Sequence, residues 1–242
     1  MEKTQDWVDF VTKTCILLGR RGENKKFREW MLSKESITKG DHFFDYNLWY
    51  RCFLISENLQ NDYDHVTLIC GLEGLGKSTI AIKMCAIISP SLHTSQVCFN
   101  PDKFIQAMID AQKGESVIID EGALFLFSRE SVSKGNRDIV KLLSIVRQKN
   151  IHLAICIPDF WSVDNYVRRH RASTLIDVKS RGTYEGLNRS GMQIANDHAG
   201  KKKAITTIKN VKKYAWKGHW TKPFITINDL DEVSYRALKR EN

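Results

Sequence analysis

Eight residues constrain the fold of this chain more than any other stretch: Gly71 to Ser78 read GLEGLGKS. They fit the pattern G-x-x-x-x-G-K-[S/T] at every fixed position. The apolar run HVTLIC ends just before Gly71, and apolar residues at helical spacing follow Lys77. Glycine permits the backbone angles that let successive amides converge on a phosphate at a helix N-terminus. The sequence therefore predicts a phosphate-binding loop between a strand and a helix.

This loop also indicates its ligand. Lys77 supplies a point charge to the β- and γ-phosphates of a nucleotide, and the Ser78 hydroxyl is suited to ligate Mg²⁺. We expect a nucleoside triphosphate such as ATP, bound together with Mg²⁺, and no later residue distinguishes ATP from GTP. The predicted nucleotide-binding residues are Gly71, Leu72, Glu73, Gly74, Leu75, Gly76, Lys77, Ser78 and Thr79.

An acidic pair, Asp120 and Glu121, follows the apolar run Val117-Ile118-Ile119 and has the pattern of a Walker B motif. Carboxylates at the carboxyl end of a buried strand face the crevice onto which a phosphate loop opens. We expect Asp120 to hold Mg²⁺ through a water and Glu121 to act as a catalytic base on a water aimed at the γ-phosphate. The pair favours hydrolysis over transfer to a small acceptor, so a small-molecule kinase fits poorly.

Strand-length apolar runs alternate with helical patterns between residues 65 and 182, which predicts an α/β protein. Fully apolar strands indicate a mostly parallel sheet covered on both faces, as in the three-layer α/β/α sandwich of P-loop NTPases. Residues 1–64 are predicted to form a helical extension, with helices near 4–19, 26–32 and 43–60. Residues 183–242 are predicted to form a small basic extension with strands near 192–194 and 204–208 and a final helix over 229–241.

Charge is unevenly distributed along the chain. The net charge is +9, and the last 92 residues hold 17 basic and 9 acidic side chains. Eight lysines and no acid lie between His198 and Asn228. This run favours a polyanion partner over a merely soluble surface, and its candidate nucleic-acid contacts are Lys201, Lys202, Lys203, Lys212 and Lys213. The interleaved Tyr214, Trp216 and Trp220 either stack on bases or form the core of a β extension.

Six cysteines show no C-x-x-C pair and no zinc-ligand spacing, so we expect buried thiols in a reducing compartment. No apolar run approaches eighteen residues, and the first thirty lack a signal-peptide pattern. These features predict a cytoplasmic protein, in the host cytoplasm or associated with a virion if it is viral.

Residues 65–182 resemble the FtsK-HerA branch of additional-strand P-loop ATPases, a group of DNA translocases, viral genome-packaging ATPases and Zot-like phage assembly proteins. The resemblance is carried by GLEGLGKST, SVIIDEGALF and LLSIVRQKNIHLAICIPDFWSVDNYVRRHRA. It implies a RecA-like, Mg²⁺-dependent ATPase that translocates double-stranded DNA as a homo-oligomeric ring, usually a hexamer. The alternative is a Zot-like or signalling ATPase that acts on a capsid, membrane or assembly protein without moving DNA.

The same resemblance implies two further roles. An arginine of one subunit reaches the neighbour's γ-phosphate, and Arg147, Arg168 and Arg171 are the candidates. A polar residue, commonly glutamine, ends the strand after Walker B as a sensor. Here the sequence departs from the family, because Ile157-Pro158-Asp159-Phe160 occupies that position and leaves Asp159 as a candidate that cannot donate as glutamine does.

Overall fold

The computed structural model describes residues 4–18, 24–39, 41–120, 143–197 and 211–241. Within these ranges the strands are β1 His65–Cys70, β2 Val97–Cys98, β3 Ser116–Ile119, β4 His152–Ile157, β5 Ala172–Ser180, β6 Thr183–Asn188 and β7 Ala215–His219. They form one sheet in the order β2-β3-β4-β1-β5-β6-β7. The pairings from β2 to β5 in this order are parallel, and the pairings of β5 with β6 and of β6 with β7 are antiparallel.

Strand β4 lies between β1 and β3 although it follows both in sequence. His152 at its start is in register with His65 of β1 and with Ser116 of β3. All three strands therefore run in one direction and end at the same edge of the sheet. Gly71, which follows β1, and Asp120, which follows β3, meet at that edge.

Helices cover both faces of the sheet, which confirms the predicted three-layer α/β/α sandwich. Successive residues of a strand point to opposite faces, so Leu68 joins one core cluster and Ile69 the other. The helices are α1 Gln5–Leu18, α2 Asn24–Leu32, α3 Glu35–Thr38, α4 Tyr46–Gln60, α5 Lys77–Ile88, α6 Pro101–Asp110, α7 Arg189–Asp197 and α8 Glu232–Arg240. Helices α1, α2, α4 and α5 pack on the Ile69 side of the sheet. Helices α6 and α7 and a helical segment over 143–149 pack on the Leu68 side.

The strand predicted near 192–194 is wrong, because these residues lie within α7. Met192 and Ala195 are three residues apart, share one face of the helix and are buried against the sheet. Asn188 accepts a hydrogen bond from the Gly191 amide at 3.0 Å, which stabilises the start of the helix. The strand predicted near 204–208 lies outside the described residues.

The N-terminal region before residue 65 and the C-terminal region after residue 182 pack against the central part of the chain and against each other. Strand β5 pairs with β6 across the predicted 182/183 boundary, so the sheet continues into the C-terminal region. From the N-terminal region, Phe44 forms an isolated bridge with Trp220, and Asp45 accepts a hydrogen bond from the Tyr184 hydroxyl at 2.8 Å. None of the helices in the described ranges is long and apolar enough to cross a bilayer.

Candidate nucleotide-binding site

The loop between β1 and α5 has the backbone that its glycines predict. Gly71, Gly74 and Gly76 have φ angles of 142°, 73° and 97°. A Cβ on Gly71 would lie 2.6 Å from the carbonyl oxygen of Val178, so a side chain is excluded there by contact as well as by φ. Gly76 precedes α5 without a side-chain cap, which leaves the first amides of the helix available to an anion.

Lys77 bends back over the loop that precedes it. Its ammonium donates to the carbonyl oxygens of Gly71 at 2.9 Å and Leu72 at 3.0 Å. The positive charge therefore lies at the centre of the loop, where a phosphate would contact the loop amides. This position fits the predicted role of Lys77 as a phosphate ligand.

Ser78 and Asp120 lie side by side at the same edge of the sheet. The Ser78 hydroxyl is 2.8 Å from Oδ2 and 3.0 Å from Oδ1 of Asp120, which is almost fully buried. A hydroxyl that donates to a carboxylate keeps its lone pairs for a cation, and both groups are oxygen donors of the kind Mg²⁺ prefers. The described residues contain no group of three or more His, Cys, Asp or Glu suited to a metal. A site with two protein ligands, the Ser78 hydroxyl and the Asp120 carboxylate, is suited to Mg²⁺, because this ion retains several waters and takes further ligands from phosphates.

A cavity of about 820 Å³ opens beside the loop, within the range of small-molecule sites. Its lining includes loop residues 73–79, Asp120 and Pro158. A second group of lining residues comes from much later in the chain: Arg181, Gly182, Trp220, Lys222, Phe224, Glu232, Tyr235, Arg236 and Lys239. None of this second group was predicted from the sequence to lie at a nucleotide site.

Two of these late residues contact the phosphate loop or the Asp120 carboxylate directly. Arg181 donates from Nε to the Gly74 carbonyl at 2.8 Å, and the Tyr235 hydroxyl donates to Asp120 Oδ2 at 2.5 Å. The two partners are 107 positions apart in the first contact and 115 in the second. No local pattern in the sequence signals either contact, because Arg181 follows β5, which pairs with β1, and Tyr235 lies on the C-terminal helix α8.

The three candidate arginines do not line this cavity. Arg168 donates to the Val163 carbonyl and to Asn196, and its guanidinium lies over Phe160 and Trp161.

Arg171 pairs with Asp64 at 2.6 Å, and its side chain is only 13% exposed. Asp64 directly precedes β1, whereas the phosphate loop directly follows it, so this ion pair lies at the opposite end of the strand from the loop. Arg147 has an exposed side chain on the helical segment over 143–149. The structure thus brings none of the three to the cavity of their own chain.

Asp159 directly follows Pro158, which lines the cavity, but its carboxylate has another partner. It accepts hydrogen bonds from the amides of Trp161 at 2.8 Å and Ser162 at 3.1 Å. Asp159 therefore caps the short turn Phe160–Ser162, and its sensor role stays a prediction.

Two of the C-terminal aromatic residues, Trp216 and Trp220, pack against the rest of the protein. Trp220 is 6% exposed and lies beside Gly76. The half-buried Trp216 indole covers Gly186, and the Arg51 guanidinium lies 4.6 Å from the centroid of its ring. These contacts favour the β-extension interpretation over base stacking for both tryptophans. Lys212 and Lys213 are exposed at the turn before β7, and Lys213 lies over the Tyr214 ring. Glu121, Lys201, Lys202 and Lys203 lie outside the described residues.

All six cysteines are buried as free thiols, as predicted. Burial raises the pKa of Cys98 to about 12, so this thiol is a packing group and not a nucleophile. His152 is also fully buried, between Thr67 at 3.0 Å and Ser116 at 3.1 Å. Desolvation lowers its pKa to about 3.

The strand order, the glycine loop between β1 and α5, and Asp120 after β3 define a P-loop NTPase-like α/β fold. Among solved structures, the chain is similar to the N-terminal domain of zonular occludens toxin from Neisseria meningitidis, with a TM-score of 0.42 and 18% sequence identity. The alignment covers 72% of this chain and 98% of that domain. The sequence matches no protein-family model and no curated protein.

Proposed function

We propose that this protein binds ATP with Mg²⁺ and hydrolyses it. The observation that carries the proposal is the hydrogen-bonded pair of Ser78 and Asp120 beside the Lys77 ammonium, in a loop shaped for phosphate. Loop amides and Lys77 bind and orient the phosphates, and Ser78 and Asp120 hold the cation. Bound Mg²⁺ supplies charge neutralisation at the β- and γ-phosphates.

Glu121 is the proposed general base, because it follows the metal-binding Asp120 directly in sequence. It orients and polarises the water that attacks the γ-phosphorus. The Glu121→Gln variant should therefore bind ATP as the wild type does and release no phosphate. Hydrolysis by this variant at the wild-type rate would refute the assignment of Glu121.

We further propose that hydrolysis drives translocation of double-stranded DNA. Strand β4, inserted between β1 and β3, is consistent with the additional-strand group to which the FtsK-HerA resemblance points. The lysine-rich stretch between residues 198 and 228 supplies charge for a phosphate backbone. A ring of identical subunits, six in the resembling family, would surround the DNA.

Within such a ring, Arg147 is the proposed arginine that reaches the neighbouring subunit. Its side chain is exposed, whereas Arg168 and Arg171 are held by contacts within their own chain. Arg147→Ala should abolish hydrolysis with little change in ATP binding, and Arg169→Ala, at a guanidinium already paired with Asp197, is the control.

DNA dependence separates translocation from the alternative, an assembly ATPase that acts on protein or membrane partners. ATP turnover should be measured with and without double-stranded DNA, together with the oligomeric state. Stimulation by DNA in a ring supports translocation, and turnover unaffected by DNA supports the assembly ATPase. Neutralising Lys201, Lys202 and Lys203 together should weaken DNA binding and flatten its salt dependence, and an unchanged salt slope would exclude them as contacts.

A further inference from the structure

The C-terminal helix α8 is fixed to the core through the segment that precedes it. Asn228 donates to the Leu92 carbonyl at 2.8 Å, and Asp229 accepts from the Thr94 amide at 2.9 Å. Leu230 is fully buried and exchanges two backbone hydrogen bonds with Ile227. These contacts attach residues 227–230 to the connection after α5, so α8 begins at a defined place on the protein.

The first turn of α8 is then oriented by a capping box. Asp231 accepts from the Ser234 amide at 2.7 Å, and the Ser234 hydroxyl accepts from the Asp231 amide at 2.8 Å. Tyr235 follows directly, is 9% exposed, and packs its ring against Phe99 and Phe224 with centroids 5.9 Å and 5.3 Å away. Ring packing therefore sets the direction of the Tyr235 hydroxyl.

That hydroxyl donates to Oδ2 of Asp120, the same carboxylate that accepts from Ser78. In this arrangement two hydroxyl donors from distant parts of the chain converge on one carboxylate. Two such donors fix the rotation of a carboxylate. Groups that orient a metal-binding carboxylate in this way affect metal affinity although they do not touch the metal.

We infer that Tyr235 is a positioning residue for the Mg²⁺ site and that α8 is therefore a functional part of the nucleotide site. The inference rests on the proposed function, since it concerns the cation that accompanies ATP. Arg236 and Lys239 of the same helix line the same cavity, so α8 contributes charge as well as the hydroxyl. Binding of Mg²⁺ and ATP at the site would thereby depend on helix α8 of the same subunit.

The test is the Mg²⁺ dependence of ATP binding to Tyr235→Phe, measured at equilibrium with a fluorescent ATP analogue in the full chain. The phenyl ring keeps its contacts with Phe99 and Phe224, and only the hydrogen bond to Asp120 is lost. The Mg²⁺ concentration for half-maximal binding should rise about tenfold, the lower end of the effect of losing an outer-shell partner. Binding of the analogue in EDTA should stay at the wild-type level.

Tyr184→Phe is a matched control, because its hydroxyl also donates to an aspartate, Asp45, but away from the nucleotide cavity. It should lower stability and leave the Mg²⁺ dependence unchanged. An unchanged or lower Mg²⁺ concentration for half-maximal binding in Tyr235→Phe would overturn the inference, and a lower one would mean that Tyr235 obstructs the cation. Failure of the wild type to bind the analogue at any Mg²⁺ concentration would instead overturn the proposed function, and this inference with it.

Discussion

The ammonium of Lys83 lies 2.9 Å from the carbonyl oxygen of Thr221 and 2.6 Å from its hydroxyl, 138 residues away in sequence. Lys83 belongs to α5, the helix that begins at the phosphate loop, and its side chain is 1% exposed. Asp41 lies 3.7 Å from the same ammonium and accepts from the Thr221 hydroxyl at 2.9 Å. One buried cation thus joins the N-terminal region, the core helix and the C-terminal region.

Lys83→Met should lower the free energy of unfolding by about 1–3 kcal/mol, the cost of leaving buried acceptors without a donor. Methionine preserves much of the aliphatic length, so the change removes mainly the charge and its hydrogen bonds. Urea unfolding measures the effect, and Lys103→Met at an exposed lysine should change stability by less than about 0.5 kcal/mol. A Lys83→Met protein as stable as the wild type would show that the buried cation does not stabilise the fold.

Gly71→Ala and Gly74→Ala form a second test, because they differ in the space around the added methyl group. At Gly71 the methyl would lie 2.6 Å from the Val178 carbonyl, whereas at Gly74 nothing lies within 4 Å. Both positions have positive φ, which costs about 1–2 kcal/mol for alanine. Gly71→Ala should therefore be the more destabilising change by about 1–3 kcal/mol in urea unfolding, since a methyl group forced into occupied space adds a cost of that order. Equal losses would mean that β1 and β5 are not packed as described.

Stability should also depend on pH through His152. Its pKa is about 3 in the folded protein against 6.5 for the ordinary side chain, so between these values the unfolded state binds a proton that the folded state does not. Lowering the pH from 7 to 5 should then cost about 2 kcal/mol of unfolding free energy through this residue. His65 adds to the fall in the same direction, because burial also lowers its pKa well below 6.5.

Urea unfolding at several pH values measures this slope. His152→Gln should make this slope shallower by about one proton. If His152→Gln retains the full wild-type slope, His152 does not titrate between pH 5 and 7 on unfolding.

The sequence predicted the phosphate loop, strands β1, β3 and β4 and the layered fold, because each of these rests on contiguous residues with a clear apolar period. The strand predicted near Met192 is wrong because the three residues Met192-Gln193-Ile194 are too short a pattern to distinguish a strand from a helix. The contacts of Arg181 and Tyr235 at the proposed nucleotide site were not predictable from the sequence. Arg181 is brought to the loop by the pairing of β5 with β1, and Tyr235 is brought to Asp120 by the attachment of residues 227–230 to the connection after α5. The late, basic part of the chain consequently lines part of the proposed nucleotide site.

We propose above all that Lys77, Ser78 and Asp120 form a Mg²⁺-dependent ATP site. Equilibrium binding of ATP with and without Mg²⁺ tests it most directly, in the wild type, Lys77→Ala, Ser78→Ala and the distant control Ser95→Ala. We predict that Lys77→Ala abolishes binding, that Ser78→Ala loses only the part of the affinity that Mg²⁺ supplies, and that Ser95→Ala matches the wild type. Wild-type affinity for ATP in Lys77→Ala, or identical Mg²⁺ dependence in Ser78→Ala and the wild type, would contradict the account.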